Sequence, residues 1–71
     1  MTNTNLLKAK MIAAGDEHFT TVLADVLNLS RTTASKKLNG VIDFTQSEIL
    51  ILKNKYNLSP EDVNEIFVEG D

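Results

Sequence analysis

Leu29-Ser30-Arg31-Thr32-Thr33-Ala34-Ser35-Lys36-Lys37-Leu38-Asn39-Gly40 reads as one short helix with a marked start, a marked stop, two inward positions and one polar, cationic outward face. Ser30 is a good N-cap, because its hydroxyl can accept one of the amide protons that the first turn leaves unpaired. Asn39-Gly40 is a good stop, because both residues tolerate the left-handed backbone that ends a helix. Ala34 and Leu38 lie four apart and face inward together. Arg31, Thr32, Ser35 and Lys36 fall on the opposite side of a helix about 12 Å long at 1.5 Å per residue. Taken alone, that face fits either an ordinary solvated surface or a surface that reads base edges in a major groove.

Immediately upstream, Thr20-Thr21-Val22-Leu23-Ala24-Asp25-Val26-Leu27 is expected to form another short helix, with Leu23 and Leu27 as its core pair. Ala24 is small enough to let a neighbouring helix approach. Asn28 suits a left-handed turn, Leu29 is an apolar plug, and Ser30 caps the next helix. A helix, a tight turn with one buried leucine and a capped second helix make a helix-turn-helix unit at about residues 20–38.

Outward from this unit, Asn3, Thr4 or Asn5 caps a first helix over Leu6–Ala14, with Leu7, Met11 and Ala14 as its inward stripe and Gly15 as its end. Met1–Asn5 reads as a polar, frayed end. Asp16–Phe19 is a connector, and its His18 is the lone candidate general base, with nothing beside it to activate. Val41-Ile42-Asp43-Phe44 is expected to cross in extended form, its apolar side chains closing the core. Thr45-Gln46-Ser47-Glu48 is a capping box opening a helix that runs to about Tyr56, with Ile49, Leu52 and Tyr56 at core spacing. Ser59-Pro60-Glu61-Asp62 opens a last helix with a Ser cap, Pro at the first helical position and acids at the amino end. Val63, Ile66 and Phe67 close the bundle. The expectation is an all-α fold of five short helices, residues 1–71 forming a single domain without repeat or linker.

Composition narrows the function. Seventy-one residues sit near the lower limit for a domain without staples, and there is no cysteine to supply a disulfide or a thiolate ligand. With one histidine and no cysteine, nearly every zinc arrangement is excluded. No acid pair, glycine-rich phosphate loop or ligand cluster argues for an enzyme, so no catalytic residue, metal or cofactor is expected. No apolar run is long enough to span a membrane and no signal-peptide pattern opens the chain, so cytoplasm is the default compartment. Net charge is −3 and pI about 4.9, against a general nucleic-acid binder. The charge is uneven: residues 61–71 hold five acids and no base, whereas Arg31, Lys36 and Lys37 put three of the seven cations into the helix quoted above.

Leu23-Ala24, Leu27, Leu29–Thr33, Lys37–Gly40, Phe44-Thr45 and Leu58-Ser59 together resemble the Cro/CI-type helix-turn-helix regulators of temperate bacteriophages. Most similar in kind are the small single-domain phage proteins of Gram-positive hosts that oppose a CI repressor in a lysis–lysogeny switch, the modulator-of-repression proteins among them. The resemblance spans roughly residues 6–67 and implies a lambda-repressor-like DNA-binding fold in a bacterial cytoplasm. It implies that Arg31, Thr32, Ser35 and Lys36 face bases, and that Thr20 and Asn39 bind phosphate. Ser30, at the helix amino end, and Lys37 complete the expected DNA contacts. Relatives usually carry polar residues where this chain has Val22, Val26, Leu50 and Ile51. These four either widen a small core or form an apolar patch for another protein. Two functions are then open: a regulator that binds an operator in double-stranded DNA, as a monomer or a homodimer, or an antirepressor that binds its cognate CI-type repressor and alters that repressor's operator binding.

Overall fold

Short-range capping signals divide the chain into helices α1 (Thr4–Ala13), α2 (Phe19–Val26), α3 (Arg31–Leu38), α4 (Gln46–Lys55) and α5 (Pro60–Ile66) in a computed structural model that describes residues 2–67. Among the described residues there are these five helices and no strand. Glu69 and Asp71, two of the acids expected at the carboxyl end, lie outside them.

Four of the five starts carry a side-chain cap. The Asn3 side chain accepts from the Leu6 amide, Ser30 from Thr33, Thr45 from Glu48 and Ser59 from Asp62. The last two are complete capping boxes, since Glu48 and Asp62 accept in return from the backbone amides of Thr45 and Ser59. The exception is α2, which begins at Phe19, one residue earlier than expected. His18 occupies its cap position and makes no side-chain cap bond.

All four junctions end their helix in the same way. Gly15, Asn28, Gly40 and Asn57 adopt positive φ of 91°, 56°, 77° and 51°. In each case the next amide reaches back five residues to a helix carbonyl: Asp16 to Met11, Leu29 to Ala24, Val41 to Lys36 and Leu58 to Lys53, at 2.8–3.0 Å. This is the Schellman closure, and it satisfies carbonyls that the last turn leaves open.

The apolar core gathers side chains from every helix: Leu7 and Met11 (α1), Leu23 (α2), Ala34 and Leu38 (α3), Leu52 (α4) and Ile66 (α5), with Leu27, Phe44, Leu58 and Phe67 from the connections. Phe44 and Phe67 meet edge to face with centroids 5.6 Å apart. Ile49, Tyr56 and Val63 are half-buried against this core, as is the expected plug Leu29.

Three expectations need correction. Ala14 is exposed, because α1 ends at Ala13 and residue 14 is already turning out of the helix. Val41 and Ile42 do not close the core: Val41 is 67% exposed and Ile42 40%. Their amides are held at the end of α3 by the Lys36 carbonyl, which leaves Phe44 to enter the core. The chain start is tied rather than frayed. Thr2 bridges Phe67, and the Asn3 amide donates to the Ile66 carbonyl at 2.6 Å. A Lys10–Asp62 ion pair of 3.2 Å adds a second link between α1 and α5.

Candidate nucleic-acid interface

The α2–α3 pair is the most closely associated pair of helices in the molecule. Leu23 and Leu27 from one side and Ala34 and Leu38 from the other are buried, so the outer face of α3 is determined by elimination. Arg31, Thr32, Lys36 and Asn39 are exposed on it, and Ser35 is half-buried. Residues 32, 36 and 39 lie along one edge at helical spacing, and residues 31 and 35 lie beside them.

Hydrogen bonds order this face. The Ser30 hydroxyl accepts from the Thr33 amide at 3.1 Å and donates to Thr33 Oγ1 at 3.0 Å, so it is committed to the helix start. Asn39 Nδ2 donates to Ser35 Oγ at a long 3.4 Å. Arg31 Nη2 donates to Thr21 Oγ1 at 2.6 Å, joining the first turn of α3 to α2. Thr20, expected as a phosphate contact, is half-buried in the first turn of α2. Thr21 is a member of this face that no local sequence pattern signals, because its bond spans ten residues and two helices.

Lys37 is the clear correction. It is only 6% exposed, and its ammonium is turned inward. Nζ donates to the Asp43 carbonyl at 2.9 Å, pairs with Glu48 Oε1 at 2.9 Å and sits 5.6 Å from the centre of the Phe44 ring. Position 37 flanks the buried Ala34–Leu38 stripe, so its apolar stem follows the stripe and its charge finds the start of α4. The cationic face of α3 therefore holds Arg31 and Lys36, and not a third charge. Burial works to raise the Glu48 carboxyl, but the Thr45 amide and the Lys37 ammonium outweigh it and hold the group below its ordinary range.

The four apolar outliers divide. Val22 and Val26 are half-buried and pack against the core, as a small domain recruiting them would require. Leu50 and Ile51 stand out on α4, 59% and 42% exposed. His18 is exposed and isolated. Among the described residues, no group of three or more histidine or acidic side chains is placed to hold a metal. None of their helices is long and apolar enough to cross a membrane.

The chain matches no curated protein and no solved structure. The family model described as the BetR domain, a small helical domain, matches residues 3–66, nearly the whole length. With its five helices accounted for inside that span, the chain belongs to the BetR domain family.

Proposed function

We propose that this protein is a sequence-specific DNA-binding regulator in which α2, its turn and α3 act as a helix-turn-helix and α3 reads the major groove. One observation carries the reading. A short capped helix, held on α2 by its apolar side, turns Arg31 and Thr32 to solvent in its first turn and Lys36 in its last. Arginine offers a planar fork for the guanine edge, and the neighbouring hydroxyl and ammonium suit bases or phosphates. Membership of the BetR family supports a regulatory role for a small helical domain, and the lysis–lysogeny setting rests on the resemblance of residues 6–67 to phage regulators alone. In this reading the protein is not an enzyme and needs no metal or cofactor.

A band-shift titration against duplexes selected from a randomised pool tests this. Discrete sites whose recovery depends on Arg31 are expected. Equal retention of all duplexes would overturn the reading.

A second function is favoured by the exposed pair Leu50 and Ile51 on α4. There the protein would dock onto a CI-type repressor through an apolar centre and alter that repressor's operator binding. Val22 and Val26 are poor probes of this, because they pack on the core and their loss would disturb folding. Leu50→Glu with Ile51→Lys is the better probe. Calorimetry with the purified repressor should register a complex for the parent chain and none for the double variant.

A further inference from the structure

We propose that Thr21 is a positioning residue for Arg31, so that the two side chains form one base-reading unit tuned to a guanine. This rests on the assignment of α3 as the reading helix. Arginine carries four side-chain torsions and gives up considerable rotamer freedom when it is fixed in a complex. Here the far end of the side chain is already held: Nη2 donates to Thr21 Oγ1 at 2.6 Å, although both residues are exposed. The acceptor is itself stiff, being a β-branched side chain in the first turn of α2.

The chemistry of the fork makes this bond compatible with base reading. A guanidinium has five N–H donors and two edges capable of paired donation, and Nη2 contributes one proton to each edge. Using one Nη2 proton on Thr21 leaves the other edge complete, whichever proton is used. That remaining edge can donate to O6 and N7 of a guanine. The hydroxyl thus costs the arginine no bidentate contact, and it fixes the direction in which the free edge points. An untethered guanidinium at the same position would spread its contacts over neighbouring bases and phosphates. Thr21 is therefore expected to strengthen binding to a guanine-bearing site more than to random duplex, since the lowered ordering cost is realised only where the aimed edge finds its base.

The test uses the full chain, a randomised duplex pool and four variants: Thr21→Val, Thr21→Ser, Arg31→Ala and the Thr21→Val/Arg31→Ala double. Far-UV circular dichroism checks that each is folded. The parent chain should select a guanine at one position, and Arg31→Ala should erase that preference. Thr21→Val should reduce it about fivefold, the scale of one net hydrogen bond, with a smaller loss of affinity for random duplex. Thr21→Ser should restore it. In the Arg31→Ala background, Thr21→Val should change nothing further.

An unchanged base preference in Thr21→Val would overturn the proposal, and so would a further loss in the Arg31→Ala background, which would make Thr21 a DNA contact in its own right. In the free protein, nitrogen relaxation at Arg31 Nε should show a more mobile side chain in Thr21→Val. Equal mobility would also overturn the proposal. If the parent chain selects no sequence at all, the assignment of α3 falls and this inference falls with it, a result distinct from the others.

Discussion

At the scale of single residues, two adjacent lysines on α3 have opposite tasks. Lys36 is exposed on the outer face, whereas Lys37 joins the end of α3 to the Asp43 carbonyl and Glu48. Lys36→Ala should lower the salt dependence of DNA binding by about one unit of slope, as expected for one phosphate contact. Lys37→Met should leave that slope unchanged and instead destabilise the fold by about 2 kcal/mol, because the half-buried Glu48 carboxylate keeps the Thr45 amide but loses its ammonium partner, and the Asp43 carbonyl loses its donor. Salt-titrated band shifts and urea denaturation separate the two effects. Tyr56 provides a second residue-scale prediction. Burial, together with its hydrogen bond to Asp16 Oδ2 at 2.7 Å, pushes the phenol well above its ordinary value of 10.0. A raised folded-state value means that this stabilisation is complete below pH 10.0 and is lost as pH rises beyond it. Ultraviolet titration should show no phenolate near pH 10.0 in the folded protein, and Asp16→Asn should bring the transition part of the way back.

At the scale of elements, each helix is bounded by chemistry acting within one turn. The four left-handed residues at the junctions are two glycines and two asparagines. A Cβ added at Gly40 would meet nothing within 4 Å beyond its chain neighbours, so an alanine there is opposed by the backbone at φ 77° and not by packing. Gly40→Ala should therefore cost about 1–2 kcal/mol, the penalty for a left-handed L-residue. Gly40→Asn should cost clearly less, since asparagine already serves at positions 28 and 57. Thermal melts of the two variants check the order, and equal losses would point to a steric cause instead. The same junction aims α3: the Val41 amide closes on Lys36, two residues before Asp43 receives the Lys37 ammonium.

At the scale of the whole molecule, polar links tie the bundle at both ends of the chain and across α3–α4. Lys10–Asp62 joins α1 to α5, and Lys37–Glu48 joins α3 to α4. Both carboxyls sit below their ordinary values. For Asp62 the Ser59 amide is the main cause, with Lys10 assisting; for Glu48 the Thr45 amide and Lys37 overcome burial. A lowered folded-state value contributes stability that is present above the unfolded value and lost as acid protonates the folded group. Stability should then decline as pH falls below about 4.5 for Glu48 and 3.8 for Asp62. Glu48→Gln should flatten the upper part of that decline in urea titrations run at stepped pH. An unchanged slope would show that the Lys37–Glu48 pair does not couple protonation to folding.

Features that local chemistry controls can be read from the chain alone. The Ser30, Thr45 and Ser59 caps, the stops at Gly15 and Gly40, the left-handed Asn28 and the buried positions Leu23, Leu27, Ala34 and Leu38 all arise from hydrogen bonds and spacings within a few residues. From these the five helices and the polar face of α3 were legible. Tertiary structure decided which way the ambivalent side chains turned. Lys37 has an apolar stem and a charged end, and the arrival of Glu48 and the Asp43 carbonyl beside it makes burial favourable. Val22 and Val26 find a neighbour to cover them, while Val41, Leu50 and Ile51 do not, although all five are equally apolar in sequence. The bridge from Thr2 to Phe67 and the bond from Arg31 to Thr21 have the same origin. Each joins groups whose proximity comes from packing, and packing distance is not written in any short stretch of chain.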